Sequence, residues 1–142
     1  VGHFEAALSL DEASAVTHND LGALLAKRKD LAGAVGHFER AVELAPEMAS
    51  AYRNLGKTYL SLGRADRALV VLREAVRLEP GHIGARLNLG VALARRGLND
   101  QAIQVFRAVL EIDPTNRLAQ QLVAALGKAP TEKQGGDGEP GP

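Results

Sequence analysis

The chain has 142 residues, 46% of them hydrophobic and 24% charged, which suits one domain or one array of small repeats around a buried core. Lysine plus arginine equals aspartate plus glutamate at 17 each, so no basic excess is available to neutralise a phosphate backbone, and nucleic acid is not expected as a partner. The absence of cysteine removes disulfides, thiolate nucleophiles and cysteine zinc sites together, and charged residues cut every apolar stretch short of a bilayer span, so no membrane insertion is expected.

The chain opens on Val1-Gly2-His3-Phe4-Glu5, and the same kind of string returns 34 positions later as Val35-Gly36-His37-Phe38-Glu39. That step also links Pro46, Pro80 and Pro114, the pairs Leu21-Gly22, Leu55-Gly56 and Leu89-Gly90, and Ala34, Ala68 and Ala102. Residues 49–82 and 83–116 are identical at ten aligned positions, among them Asn54/Asn88, Gly63/Gly97, Asp66/Asp100 and Arg73/Arg107. An internal period of this length marks a stack of supersecondary units.

Residues 1–11 carry only the pattern of a second helix, with Phe4, Ala7, Leu8 and Leu10 in place. With a turn through residue 14, they are expected to belong to an earlier unit that is cut short. Complete units follow at 15–48, 49–82 and 83–116, each a helix hairpin. In the middle unit Tyr52, Leu55, Gly56 and Tyr59 follow the i, i+3, i+4, i+7 rule of one helical face, and Gly63 supplies the break. Ala68, Leu69, Leu72, Ala75 and Val76 then line a second helix, which Pro80 ends because proline has no amide donor and its ring opposes continuation. Gly56 and Ala68 are small enough to let the paired helices approach closely. Lys29 stands where the other units have Gly63 and Gly97. Residues 117–127 read as a capping helix with Arg117, Gln120 and Gln121 on its polar side and Gly127 as its stop, which gives the array a finished C-terminal end. The Gly- and Pro-rich run 128–142 has nothing to bury and reads as a disordered tail. No targeting segment is visible at Val1, which leaves the compartment at the cytoplasmic default.

This phasing resembles the tetratricopeptide repeat, a 34-residue helix–turn–helix unit, over residues 15–116. The family's large residue early in the first helix is matched by Tyr52, but only by His18 and Arg86 in the neighbouring units. The resemblance implies an all-α, right-handed superhelix whose first helices line a concave groove for a protein or peptide. The inward positions it implies are Asn19, Asp20 and Lys27, then Arg53, Asn54, Lys57 and Ser61, then Leu87, Asn88, Val91 and Arg95. Asp20, Asn54 and Asn88 are repeat-equivalent. Amides at a constant step can pair with the backbone of an extended peptide whatever its sequence, as in the similar repeat region of O-linked N-acetylglucosamine transferases. The same Asn position can equally hold adjacent units together. Lys27, Arg53, Lys57 and Arg95 tint this face positive and favour acidic peptides. The co-chaperone subfamily that clamps a C-terminal carboxylate uses a fixed basic and Asn arrangement that this chain does not reproduce, since Ala23 and Gly84 in one register, or Leu118 and Leu122 in the next, replace needed polar groups.

Other chemistry is poorly supported. Ala51 to Thr58 ends in Gly-Lys-Thr and imitates a phosphate-binding loop, but Ala51 stands where a flexible glycine is required and the string lies inside a helix. His3 and His37 have no His or Cys at i+3 or i+4, and sharing a metal with His18 or His82 is not expected. Glu39, Glu43, Asp66, Glu74 and Asp100 lie among arginines and lysines, the pattern of a solvated face with ion pairs. No nucleophile, metal or cofactor site stands out, so the chain is not expected to be an enzyme. The alternative is the recognition arm of a larger glycosyltransferase- or sulfotransferase-like enzyme whose catalytic domain is elsewhere. A third expectation is self-association through the unpaired helix at 1–11, by way of Phe4, Leu8 and Leu10.

Overall fold

A computed structural model describes residues 2–128, with side chains from Leu10 onward. The tail reading for 129–142 therefore lies outside the described residues. Among these residues all regular structure is helical: α1 (Gly2–Lys27), α2 (Leu31–Leu44), α3 (Ala49–Ser61), α4 (Ala65–Leu78), α5 (Ile83–Arg95), α6 (Asn99–Ile112) and α7 (Arg117–Gly127). Each helix packs on the next in an all-α solenoid, and α1 touches α3 as α3 touches α5, so α1, α3 and α5 share one side of the stack.

Three equivalent turns follow α1, α3 and α5. Lys29, Gly63 and Gly97 take left-handed backbone conformations with φ of 70°, 76° and 81°. After each, an amide reaches back to a carbonyl five residues earlier, Asp30 to Leu25 at 2.9 Å, Arg64 to Tyr59 at 2.8 Å and Leu98 to Leu93 at 2.9 Å, which closes the helix end. Lys29 adopts the same turn as the glycines, although a Cβ makes that conformation costly by about 1–2 kcal/mol. Asp30 then caps α2 by accepting from the Gly33 amide at 3.0 Å, and Asn116 caps α7 through the Ala119 amide at 2.9 Å.

Within each hairpin a glycine of the first helix meets a large side chain of the second. Gly22 lies under Phe38, Gly56 under Leu72 and Gly90 under Phe106, and a Cβ added at Gly22 or Gly90 would come within 2.6 Å or 2.5 Å of the ring. Phe38, Leu72 and Phe106 are buried, as are Ala34, Ala68 and Ala102 on the same helices. The close approach expected at Gly56 and Ala68 is thus a property of every hairpin. Between α2 and α3, the Tyr59 hydroxyl donates to Glu39 Oε2 at 2.8 Å. Burial, and then this bond, push the Tyr59 phenol above its ordinary value, so it remains a donor at neutral pH.

The N-terminal end differs from expectation. The sequence leads to a turn at 12–14, but α1 runs unbroken from Gly2 to Lys27. The reason is local: Glu12 occupies the junction position where Pro46, Pro80 and Pro114 stop the later helices, so no amide is missing and no ring opposes the next turn.

Candidate functional site

A concavity lies where α1, its turn into α2, and α3 come together, a groove of about 410 Å³. Lys27 and Lys29 reach it from the end of α1 and the turn, and Lys57 from α3. Asn54, Thr58 and Ser61 add polar groups, and no carboxylate is among the lining residues. All three lysines are exposed, and their side chains make no hydrogen bond or ion pair among the described residues. Like charges converge here because the helical step puts Asn54, Lys57, Thr58 and Ser61 on one face of α3, while the left-handed turn carries Lys29 alongside Lys27.

The sequence-derived inner positions divide by what they touch. Asn54 donates to Asn19 Oδ1 at 3.1 Å, and Asn19 donates in turn to Ser50 Oγ at 3.2 Å, a short chain of bonds joining α1 to α3. Asn88 is half-buried, with no side-chain hydrogen bond among the described residues. The physical reason is the preceding unit: the position held by Asn19 before Asn54 is held by Arg53 before Asn88, and a guanidinium has no acceptor to offer. Arg53 pairs instead with Glu79 at 3.4 Å, with 26% of its side chain and 46% of its partner's exposed. Its Nε is otherwise buried without a hydrogen bond. Arg95 donates to the Leu60 carbonyl at 2.8 Å and so ties α5 to the end of α3. Asp20 is exposed and stands outside the groove lining.

Lys27, Asn54 and Lys57 are therefore brought together, while Arg53 and Arg95 have their charges engaged by neighbouring helices. Lys29 and Thr58 are polar groove residues that sequence reasoning missed. For Lys29 the only signal was its place at the position where the other units have Gly63 and Gly97.

Two histidines that the sequence left apart also meet. His18 of α1 and His37 of α2 face each other Nδ1 to Nδ1 at 2.9 Å, with ring centroids 5.2 Å apart. One ring supplies the N–H and the other the lone pair, which binds α1 to α2 across the half-buried back of the hairpin. No group of three or more His, Cys, Asp or Glu suited to a metal occurs among the described residues. The expected ion pairs of a solvated face are present as Arg40–Glu43 and Glu74–Arg77. The Arg77 guanidinium holds the Glu74 carboxyl below its ordinary value.

Two family models, both described as tetratricopeptide repeat, match residues 12–79 and 59–126. No curated protein matches the chain. Among solved structures, the Arabidopsis OM64 TPR domain is 23% identical with a TM-score of 0.79, over 83% of this chain and 98% of that one. The second TPR domain of human RPAP3, in complex with the HSP70 peptide SGPTIEEVD, is 21% identical with a TM-score of 0.78, over 86% and 99%. A TPR2B-domain:pHsp70 complex of yeast Sti1 is 19% identical with a TM-score of 0.75, over 82% and 98%. At these identities the likeness is one of fold.

Proposed function

The chain belongs to the tetratricopeptide repeat family, and from that premise we propose that it is a protein-interaction module that holds an extended acidic peptide in the groove between α1 and α3. The observation that carries this reading is the convergence of Lys27, Lys29 and Lys57, without a lining carboxylate, on a concavity that also offers Asn54 and Ser61. Ammonium groups would meet the peptide's carboxylates, and the amide and hydroxyl would meet its backbone, which combines sequence-tolerant and charge-selective contacts. The human and yeast relatives were solved with heat-shock-protein ligands, one of them an acidic peptide, which supports a peptide as the occupant.

Ala23 lines the groove where the carboxylate-clamping subfamily needs a polar group. A free peptide C-terminus should therefore bring no advantage, and internal acidic segments should bind as well as terminal ones. Fluorescence anisotropy with labelled acidic nonapeptides, SGPTIEEVD among them, tests this against Gln-for-Glu and amidated versions. The acidic forms should bind regardless of amidation, the neutralised forms should not, and Lys27→Ala with Lys57→Ala should weaken binding at least about tenfold, or about 1.4 kcal/mol. Rising salt should weaken it further because the lysines are exposed. Equal binding of acidic and neutral peptides, or no change in the double variant, would remove the groove from the account.

A further inference from the structure

Among the described residues, α1 has an uncovered flank whose required cover can be read from the repeat itself. Thr17, Leu21 and Leu24 of α1 correspond at the 34-residue step to Ala51, Leu55 and Thr58 of α3 and to Ala85, Leu89 and Ala92 of α5. Those six are buried, none more than 8% exposed, because α2 lies on α3 and α4 on α5. In α1, Leu21 is 41% and Leu24 46% exposed, and Leu10 and Val16 on the same helix stand at 70% and 50%. Asn19, Ala23 and Ala26 point elsewhere, toward α3 or the peptide groove, so this flank is a separate surface.

What covers α3 and α5 is the second helix of the preceding unit, running antiparallel. The chain contains one more sequence of that type, since Val1 to Glu5 repeats Val35 to Glu39. Its own α1 cannot use it. Without a proline at position 12 the segment and its target are one rod, and at about 1.5 Å per residue position 4 stands roughly 25 Å from position 21.

We propose that α1 pairs antiparallel with α1 of a second copy, so that residues 2–10 of each chain cover Thr17, Leu21 and Leu24 of the other. The two-fold axis passes near Glu12 and Ala13, midway between the segment and its target, so the exchange closes at two chains. Each interface half then continues the packing already made by α2 on α3, and the lysine groove stays open.

Sedimentation equilibrium of the full chain across micromolar concentrations tests the pairing, with circular dichroism to report folding. The mass should rise from 15.0 kDa to twice that value and stop there. Leu21→Asp with Leu24→Asp changes exposed positions, so helicity should persist while the dissociation constant rises at least about a hundredfold. Glu12→Pro restores the junction proline and lets residues 2–10 fold back on their own chain, so this variant should be monomeric with its helicity retained. A wild-type chain that stays at 15.0 kDa overturns the proposal, as does a mass that grows beyond two chains through head-to-tail stacking. So does a Leu21/Leu24 or Glu12 variant that associates as the wild type does.

Discussion

The glycines show how one residue type has opposite consequences at different places in the same repeat. Gly90 lies under Phe106, where a Cβ would fall 2.5 Å from a ring atom, whereas Gly36 in α2 has nothing within 4 Å. Gly90→Val should therefore force the α5–α6 hairpin apart and cost about 2 kcal/mol or more, since a packed ring has no room to yield. Gly36→Ala should instead stabilise by about 0.5–1 kcal/mol, because an open helical site gains propensity and meets no obstacle. Urea denaturation of the two variants checks both signs. The 34-residue recurrence of these glycines was legible in the sequence, and so was a steric role for Gly56. Which large side chain sits above each one was not, because that depends on how two helices cross.

Helix-to-helix ties explain why the polar inner face could be located from sequence but not sorted. Asn54 and Asn88 are repeat-equivalent, yet only Asn54 finds an amide carbonyl, on Asn19 in the first helix of the preceding unit. Asn54→Ala should lower stability by about 1 kcal/mol, and Asn88→Ala should leave it within about 0.5 kcal/mol. Thermal melts of the two variants, with helicity read at low temperature, distinguish them. Equal losses would mean that the Asn19 bond does not join the units. Arg95 and Arg53 follow the same logic, since both read as groove charges, and both turn out to be met by a neighbouring element, at the Leu60 carbonyl and at Glu79. Periodicity says which side of a helix a residue occupies. It does not say whether a carbonyl or a carboxylate from another helix has arrived at the same place.

Across the whole molecule, stability is a sum of hairpins and the surfaces between them, so the ends matter as much as the middle. Helix α7 closes the α6 face with Leu122, Val123 and Leu126 against the core and Ala119 fully buried. A chain ending at residue 116 should lose about 2–4 kcal/mol and unfold with a smaller denaturant slope, as expected from the apolar area it no longer buries. Chemical denaturation of the truncated and full chains checks both quantities. At the other end, with Glu12 in place of a junction proline, the expected turn at 12–14 gives way to one long helix, and Leu21 and Leu24 face solvent.

The amino-acid order by itself determined the unit length, the helical class, the turns at Gly63 and Gly97, and the side of each hairpin that is polar, because backbone chemistry and the 3.6-residue turn act over a few neighbouring positions. Only the tertiary structure decided that Lys29 joins Lys27 and Lys57 on one groove, that Asn19 answers Asn54, that His18 meets His37, and that α1 continues through residue 12. Those outcomes depend on side chains 19 or more positions apart, or on the balance at one junction, and neither is set by local propensity.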